Sequence, residues 1–88
     1  MNKATIINLK KQAHFLKPVI LIGQKGLTTA VLNETNLALK VHECIKIKLS
    51  GCEKDVQRNY ISQICEKLQS TLVVHIGHTA VIYRKNED

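Results

Sequence analysis

Residues 22–31 read Ile-Gly-Gln-Lys-Gly-Leu-Thr-Thr-Ala-Val, and within them Gly23, Gln24, Lys25 and Gly26 form a GxxG unit. These residue types can hold an anion. Glycine lets a backbone approach a ligand closely and adopt positive φ. If a helix follows, its first-turn N–H groups point outward without partners, and its dipole adds partial positive charge. Lys25 supplies a full cation. The chemistry on offer is phosphate binding, not bond making. Neither the nucleotide P-loop pattern GxxxxGK[ST] nor the dinucleotide pattern GxGxxG occurs. The bland alternative is that two glycines serve a tight turn and nothing else.

Other residues with chemical potential are sparse. His42, Cys44 and Cys52 come nearest to a metal set, but zinc sites pair their ligands at short spacing and these two cysteines stand eight residues apart. No metal and no cofactor is expected. Cys44 and Cys65 read as small apolar residues, and three cysteines without CxxC spacing argue against a disulfide framework. A Cys nucleophile with a His partner is conceivable, yet no Asp, Glu or Asn pattern completes an acid–base assembly. The chain reads as non-enzymatic.

The elements that position the GxxG unit follow from periodicity. Ile6, Leu9, Ala13 and Leu16 recur at helical spacing and predict a first helix over about residues 4–16. Lys3, Lys10, His14 and Lys17 make a basic flank beside that stripe. His14 can reach a ligand or fix the loop through a backbone hydrogen bond. Pro18 closes the helix. Val19 to Ile22 is then a strand apolar on both faces, expected to be covered on both sides. Thr28 is a candidate N-cap for a second helix over about 28–41, with Leu27, Val31, Ala38 and Leu39 buried. Cys44 to Leu49 alternates, placing Ile45, Ile47 and Leu49 inward. Lys46 and Lys48 point outward as a solvated face, or as a binding surface if an anionic ligand crosses the sheet. Ser50 and Glu53 have capping-box spacing ahead of a third helix to about Gln69, with Val56, Tyr60, Ile64 and Leu68 on one face. Leu72 to Ile76 and Ala80 to Arg84 are strands joined by Gly77-His78-Thr79 as a hairpin, with His75 and His78 facing solvent. The order α-β-α-β-α-β-β implies parallel pairs with right-handed crossovers and an antiparallel final hairpin.

Size and charge narrow the class. The 88 residues make one small domain, 1–88. A chain this short buries only ~60–65% of the surface its unfolded form exposes, so a deep catalytic cavity is not expected. The formal net charge is +6, and no acid precedes Glu34. Five of the seven acids fall between residues 34 and 66, and the other two are Glu87 and Asp88. Segregated positive charge attracts polyanions, although excess lysine can serve solubility alone. No basic start leads into a long apolar run, and no run is long enough to span a bilayer. A soluble, cytoplasmic protein with no membrane partner is expected. Only Phe15, Tyr60 and Tyr83 are aromatic, so base stacking is limited and recognition falls on phosphates and shape.

GxxG matches the loop with which KH-type domains clamp a single-stranded backbone. More of the chain carries a closer likeness. AHFLKPVILIGQKGLTTAVLNETNLAL, then HECIKIKL, then VVHIGHTAVIYR, resembles the CRM domain typified by the small bacterial YhbY proteins, from about Leu9 to Arg84 without gaps. The resemblance implies a compact two-layer α/β domain like the C-terminal domain of initiation factor three. Its four-stranded mixed sheet runs in order 1-2-4-3, with the last strand antiparallel. It implies RNA binding, and association of stand-alone bacterial members with precursors of the large ribosomal subunit.

The resulting expectation is an RNA-binding protein of ribosome assembly, monomeric, whose partner is ribosomal RNA of the large-subunit precursor. Gly23, Lys25 and Gly26 form the backbone clamp and Gln24 adds a polar contact. Lys10, His14 and Lys17 flank the clamp, and Arg84 and Lys85 extend the basic surface. The alternatives are an RNA adaptor in translation regulation and a protein–protein assembly module with an acidic partner.

Overall fold

The computed structural model describes residues 3–86, with side chains from Thr5 onward. The Lys3 side chain of the expected basic flank, and the acids Glu87 and Asp88, lie outside that description. The elements are α1 (Lys3–Ala13), β1 (Pro18–Ile22), α2 (Thr29–His42), β2 (Cys44–Leu49), α3 (Lys54–Leu68), β3 (Thr71–Ile76) and β4 (Thr79–Tyr83). One four-stranded sheet has the order β1-β2-β4-β3. β1 and β2 are parallel, and β4 runs antiparallel to both of its neighbours.

Local chemistry sets most boundaries, and it moves two of them. α1 stops at Ala13 instead of Leu16. The N–H groups of Phe15 and Leu16 turn back to the carbonyls of Gln12 and Ala13, at 3.0 and 3.3 Å, which tightens the last turn so that the chain can reverse into β1. Thr28 caps α2 as expected, its hydroxyl oxygen accepting from the Val31 N–H at 3.1 Å. The capping box at Ser50 does not form. The Ser50 N–H instead donates to the Ile22 carbonyl at 2.9 Å, extending the β1–β2 pairing one residue further, and Glu53 becomes the α3 N-cap with no side-chain cap bond. α3 ends on Gln69 in left-handed geometry, φ 54 and ψ 44, and the Ser70 N–H returns to the Cys65 carbonyl at 3.0 Å.

α2 and α3 cover one face of the sheet. Ile20, Ile22, Ile45, Ile47, Leu49, Ala80 and Ile82 pack there with Leu39, Ile61 and Ile64. Each isoleucine and leucine among them contributes about 1.5–3 kcal/mol when fully buried. The buried face of α3 is Gln57, Ile61 and Ile64, while Val56 is 38% exposed. Of the expected stripe, Ile64 is buried and Tyr60 and Leu68 pack against the core; Val56 is the one that does not, and a fully buried glutamine takes its place in the first turn.

α1 lies on the opposite face, where Leu9 and Ala13 pack with Val73 and Val81. An eleven-residue helix is about 16 Å long, and this one lies over β3 and β4, its cluster reaching Cys44 at the start of β2. Val19 and Leu21 on the edge strand β1 are 51% and 59% exposed. The expectation that the first strand is covered on both sides is corrected here: among the described residues, the outer face of β1 is left largely open.

Candidate nucleic-acid interface

The GxxG unit is a closed turn at the carboxyl end of β1. The Gly26 N–H donates to the Gly23 carbonyl at 3.0 Å, and Gln24 and Lys25 stand exposed between them. The two glycines have different reasons to be there. Gly26 is buried, has φ +72, and a Cβ added to it would meet the Tyr60 hydroxyl at 2.6 Å. Turn geometry and packing both demand glycine at that position. A Cβ on Gly23 would meet nothing within 4 Å, and Gly23 has no positive φ. Its neighbourhood is open space. Beyond the turn, Thr29 and Ala30 at the start of α2 are exposed, and the first turn of α2 carries no acid. An open backbone, a cation and a helix N-terminus free of carboxylates converge, the conditions for holding an anion.

Two other connections support the turn. The α3-preceding segment lies against it, with Gly51 beside the Gln24 side chain. The β3–β4 hairpin lies behind, where the Leu49 N–H donates to the His78 carbonyl at 2.7 Å and the Lys54 ammonium to the Gly77 carbonyl at 2.8 Å. Lys25, Lys48 and Lys54 are exposed at this end of the sheet. Of the two acids there, Glu53 and Asp55, the latter is paired with Arg58 at 3.2 Å.

Gln57 ties the same end together from inside. Its Nε2 lies 3.1 Å from the Cys52 carbonyl, which can only accept, so the NH2 group faces that way. The NH2 also meets Nδ1 of His78 at 2.8 Å, which is then an acceptor. The amide oxygen meets Nε2 of His75 at 2.8 Å, which must carry the proton. His75 thus turns inward, against the expectation that it faces solvent; His78 is exposed yet tied to the same amide. Burial, and then the nearby cations Lys54 and Arg58, hold the His75 pKa below the usual histidine value.

The remaining predicted site residues are not gathered around the turn. His14 and Lys17 precede β1 and so stand at the end of the strand away from Gly23, while Lys10 is exposed in the last turn of α1. Arg84 and Lys85 follow β4, which runs antiparallel to β2, so they too lie at that far end. Arg84 is already occupied. Its Nη1 donates to the Asn36 side-chain oxygen at 2.8 Å and to the Leu68 carbonyl at 3.0 Å, and its Nη2 to the Asn36 carbonyl at 3.2 Å. Lys85 is exposed. Burial pushes the thiols of Cys44 and Cys65 up, away from the thiolate form. Among the described residues, no three His, Cys, Asp or Glu side chains assemble as a metal site. Among them, too, no helix is long and apolar enough to cross a membrane.

Residues 1–84 match the family model described as the CRS1 / YhbY (CRM) domain. A Pseudomonas aeruginosa protein named "Probable RNA-binding protein" is 44% identical over 77 residues, covering 88% of this chain and 74% of that one. A Haemophilus influenzae protein named "RNA-binding protein" is 40% identical over 80 residues, covering 91% of this chain and 81% of that one. The solution structure of a Staphylococcus aureus protein aligns with a TM-score of 0.85 at 25% identity, covering 100% of this chain and 92% of that one.

Proposed function

This chain belongs to the CRS1 / YhbY (CRM) domain family, and from that premise we propose that it is a non-enzymatic RNA-binding protein acting in assembly of the large ribosomal subunit. Its ligand is ribosomal RNA of the subunit precursor. The turn Gly23–Gly26 holds the RNA backbone, with Lys25 pairing a phosphate, Gln24 adding a polar contact and the α2 N-terminus facing the same charge. The observation that carries this reading is the open approach to Gly23, where no neighbour would meet a Cβ within 4 Å, beside an exposed Lys25. Lys10, His14, Lys17 and Lys85 then meet other stretches of the same RNA.

The test is the double substitution Gln24→Asp with Lys25→Asp. Both positions are exposed, so stability should stay within about 0.5 kcal/mol of the parent. Two carboxylates would face incoming phosphates, and RNA affinity should fall at least about tenfold at ~1 kcal/mol or more per contact near a surface. Lys25→Ala alone should lower the slope of log affinity against log salt by about 0.7–1. A folded double variant that binds RNA like the parent would remove the turn from the site. For the assembly role, the protein should sediment with large-subunit precursors and leave those fractions after RNase treatment; retention after RNase would point to a protein partner instead.

A further inference from the structure

The outer face of the sheet beside the turn is uncovered, and its composition is specific. Strand pairing aligns Leu21 with Lys48, Lys48 with Thr79, and Thr79 with Ile76, so one row of side chains crosses all four strands. These residues alternate with the buried Ile20, Ile22, Ile47, Leu49 and Ala80, so they point away from α2 and α3. Leu21 and Ile76 are each 59% exposed, and Lys48 lies exposed between them. The next row inward brings the exposed Val19 and the half-buried Lys46, before α1 closes over Val81. Lys46 and Lys48 are the charged residues of the four strands, which contain no carboxylate.

Resting on the RNA reading above, we propose that this open face is the floor of the RNA site: a single strand held at Gly23–Lys25 continues along the row from β1 across β2 and β4 to β3. Leu21 stands two residues before Gly23, so the face and the turn are continuous. Lys46 and Lys48 meet phosphates. The apolar side chains Val19, Leu21 and Ile76 take the ribose and base surfaces that a single strand exposes and a duplex hides. No ring stands in the Leu21–Lys48–Thr79–Ile76 row, so contact there is by apolar packing and tolerant of sequence. A protein partner would have to bring carboxylates to the two lysines, whereas an RNA strand supplies both an anionic backbone and flat apolar surfaces in one ligand.

The experiment compares single-stranded RNA of about four nucleotides, enough for a GxxG clamp, with one of about twelve, within the range that sheet-surface binders cover. The parent should bind the longer RNA more tightly. Leu21→Thr with Ile76→Thr keeps strand-forming side chains; it should weaken the longer RNA at least about fivefold, leave the shorter one unchanged and keep the salt slope. Lys46→Ala with Lys48→Ala should lower the slope for the longer RNA by about 1.4, at ~0.7 per single-strand phosphate contact. Parent-like binding of both RNAs by both variants would overturn the proposal, and would leave the turn in place if Gln24→Asp with Lys25→Asp still fails to bind. A parent that binds neither RNA would instead defeat the RNA reading itself. Loss of a dimer in sedimentation, with RNA binding intact, would assign the face to a second copy and likewise overturn the proposal.

Discussion

The Tyr60 hydroxyl stands 2.6 Å from where a Cβ on Gly26 would lie. Gly26 is therefore fixed by the fold, through positive φ and through the ring beside it. Gly26→Ala should destabilise by about 1–3 kcal/mol, the scale of a left-handed non-glycine residue plus a displaced neighbour. Tyr60→Phe removes the contacting oxygen and should recover part of that loss in a double-mutant cycle by chemical denaturation. Additive losses would show that the ring is not the obstacle.

Gly23 separates from Gly26 in the opposite direction. With open space around it and no positive φ, Gly23→Ala should change stability by less than about 0.5 kcal/mol. RNA affinity should nevertheless fall, because a methyl group would stand where the ligand backbone approaches. Equal affinity in a binding titration would assign Gly23 to the turn alone.

Arg84 should prove structural before it proves anything else. Three hydrogen bonds from one guanidinium join the end of β4 to Asn36 and to the α3 terminus. Arg84→Ala should cost about 1.5–3 kcal/mol. Arg84→Lys keeps the charge and should still lose most of that, because an ammonium cannot reproduce the fork. If Arg84→Lys melts with the parent, charge and not geometry is the useful part.

His75 gives stability a pH dependence of known sign. Its folded pKa lies below the ordinary 6.5 because of burial, then Lys54 and Arg58. The unfolded chain therefore takes up the proton first as pH falls. Its stabilising contribution is complete above the ordinary value and is lost as pH drops through the folded value. Urea midpoints between about pH 7.5 and pH 5 should decline, and His75→Asn should flatten part of that decline. An unchanged profile in the variant would place the titration elsewhere.

Gln69 holds left-handed geometry at the α3 terminus without being glycine. Gln69→Gly should stabilise by about 0.5–1 kcal/mol, the relief of that strain less the entropy glycine adds to the unfolded chain. A lower melting temperature would mean that the Gln69 side chain makes a compensating contact.

Much of this was legible in the sequence, and the failures share a cause. Alternation in Cys44–Leu49 and the threonine before α2 act within a few residues, so the strand and the cap read correctly. The GxxG turn likewise sits at the strand–helix junction its residues implied. Gln57 was missed because its partners, His75 and His78, belong to the β3–β4 hairpin and not to its own helix; locally it is only a polar residue interrupting a stripe. Arg84 looked like free charge because Asn36, which engages it, is 48 residues away. Val19 and Leu21 looked buried because apolar character says nothing about how far an eleven-residue helix on the other side of the sheet can reach.

The sheet order has a consequence for how the chain comes into being. β4 is the last strand synthesised, yet it lies between β2 and β3. A nascent chain that stops short of Thr79 has β2 with one neighbour and β3 with none, so neither half of the sheet can close around its core. Vectorial synthesis, which favours folding from the N-terminal side, is of little help to a sheet whose central gap is filled from its C-terminal side. The Gly23 turn leaves the ribosome early, but its supports, the His78 carbonyl behind Leu49 and the Gly77 carbonyl that holds Lys54, arrive more than fifty residues later. A partly made chain therefore carries the turn without the scaffold that shapes it.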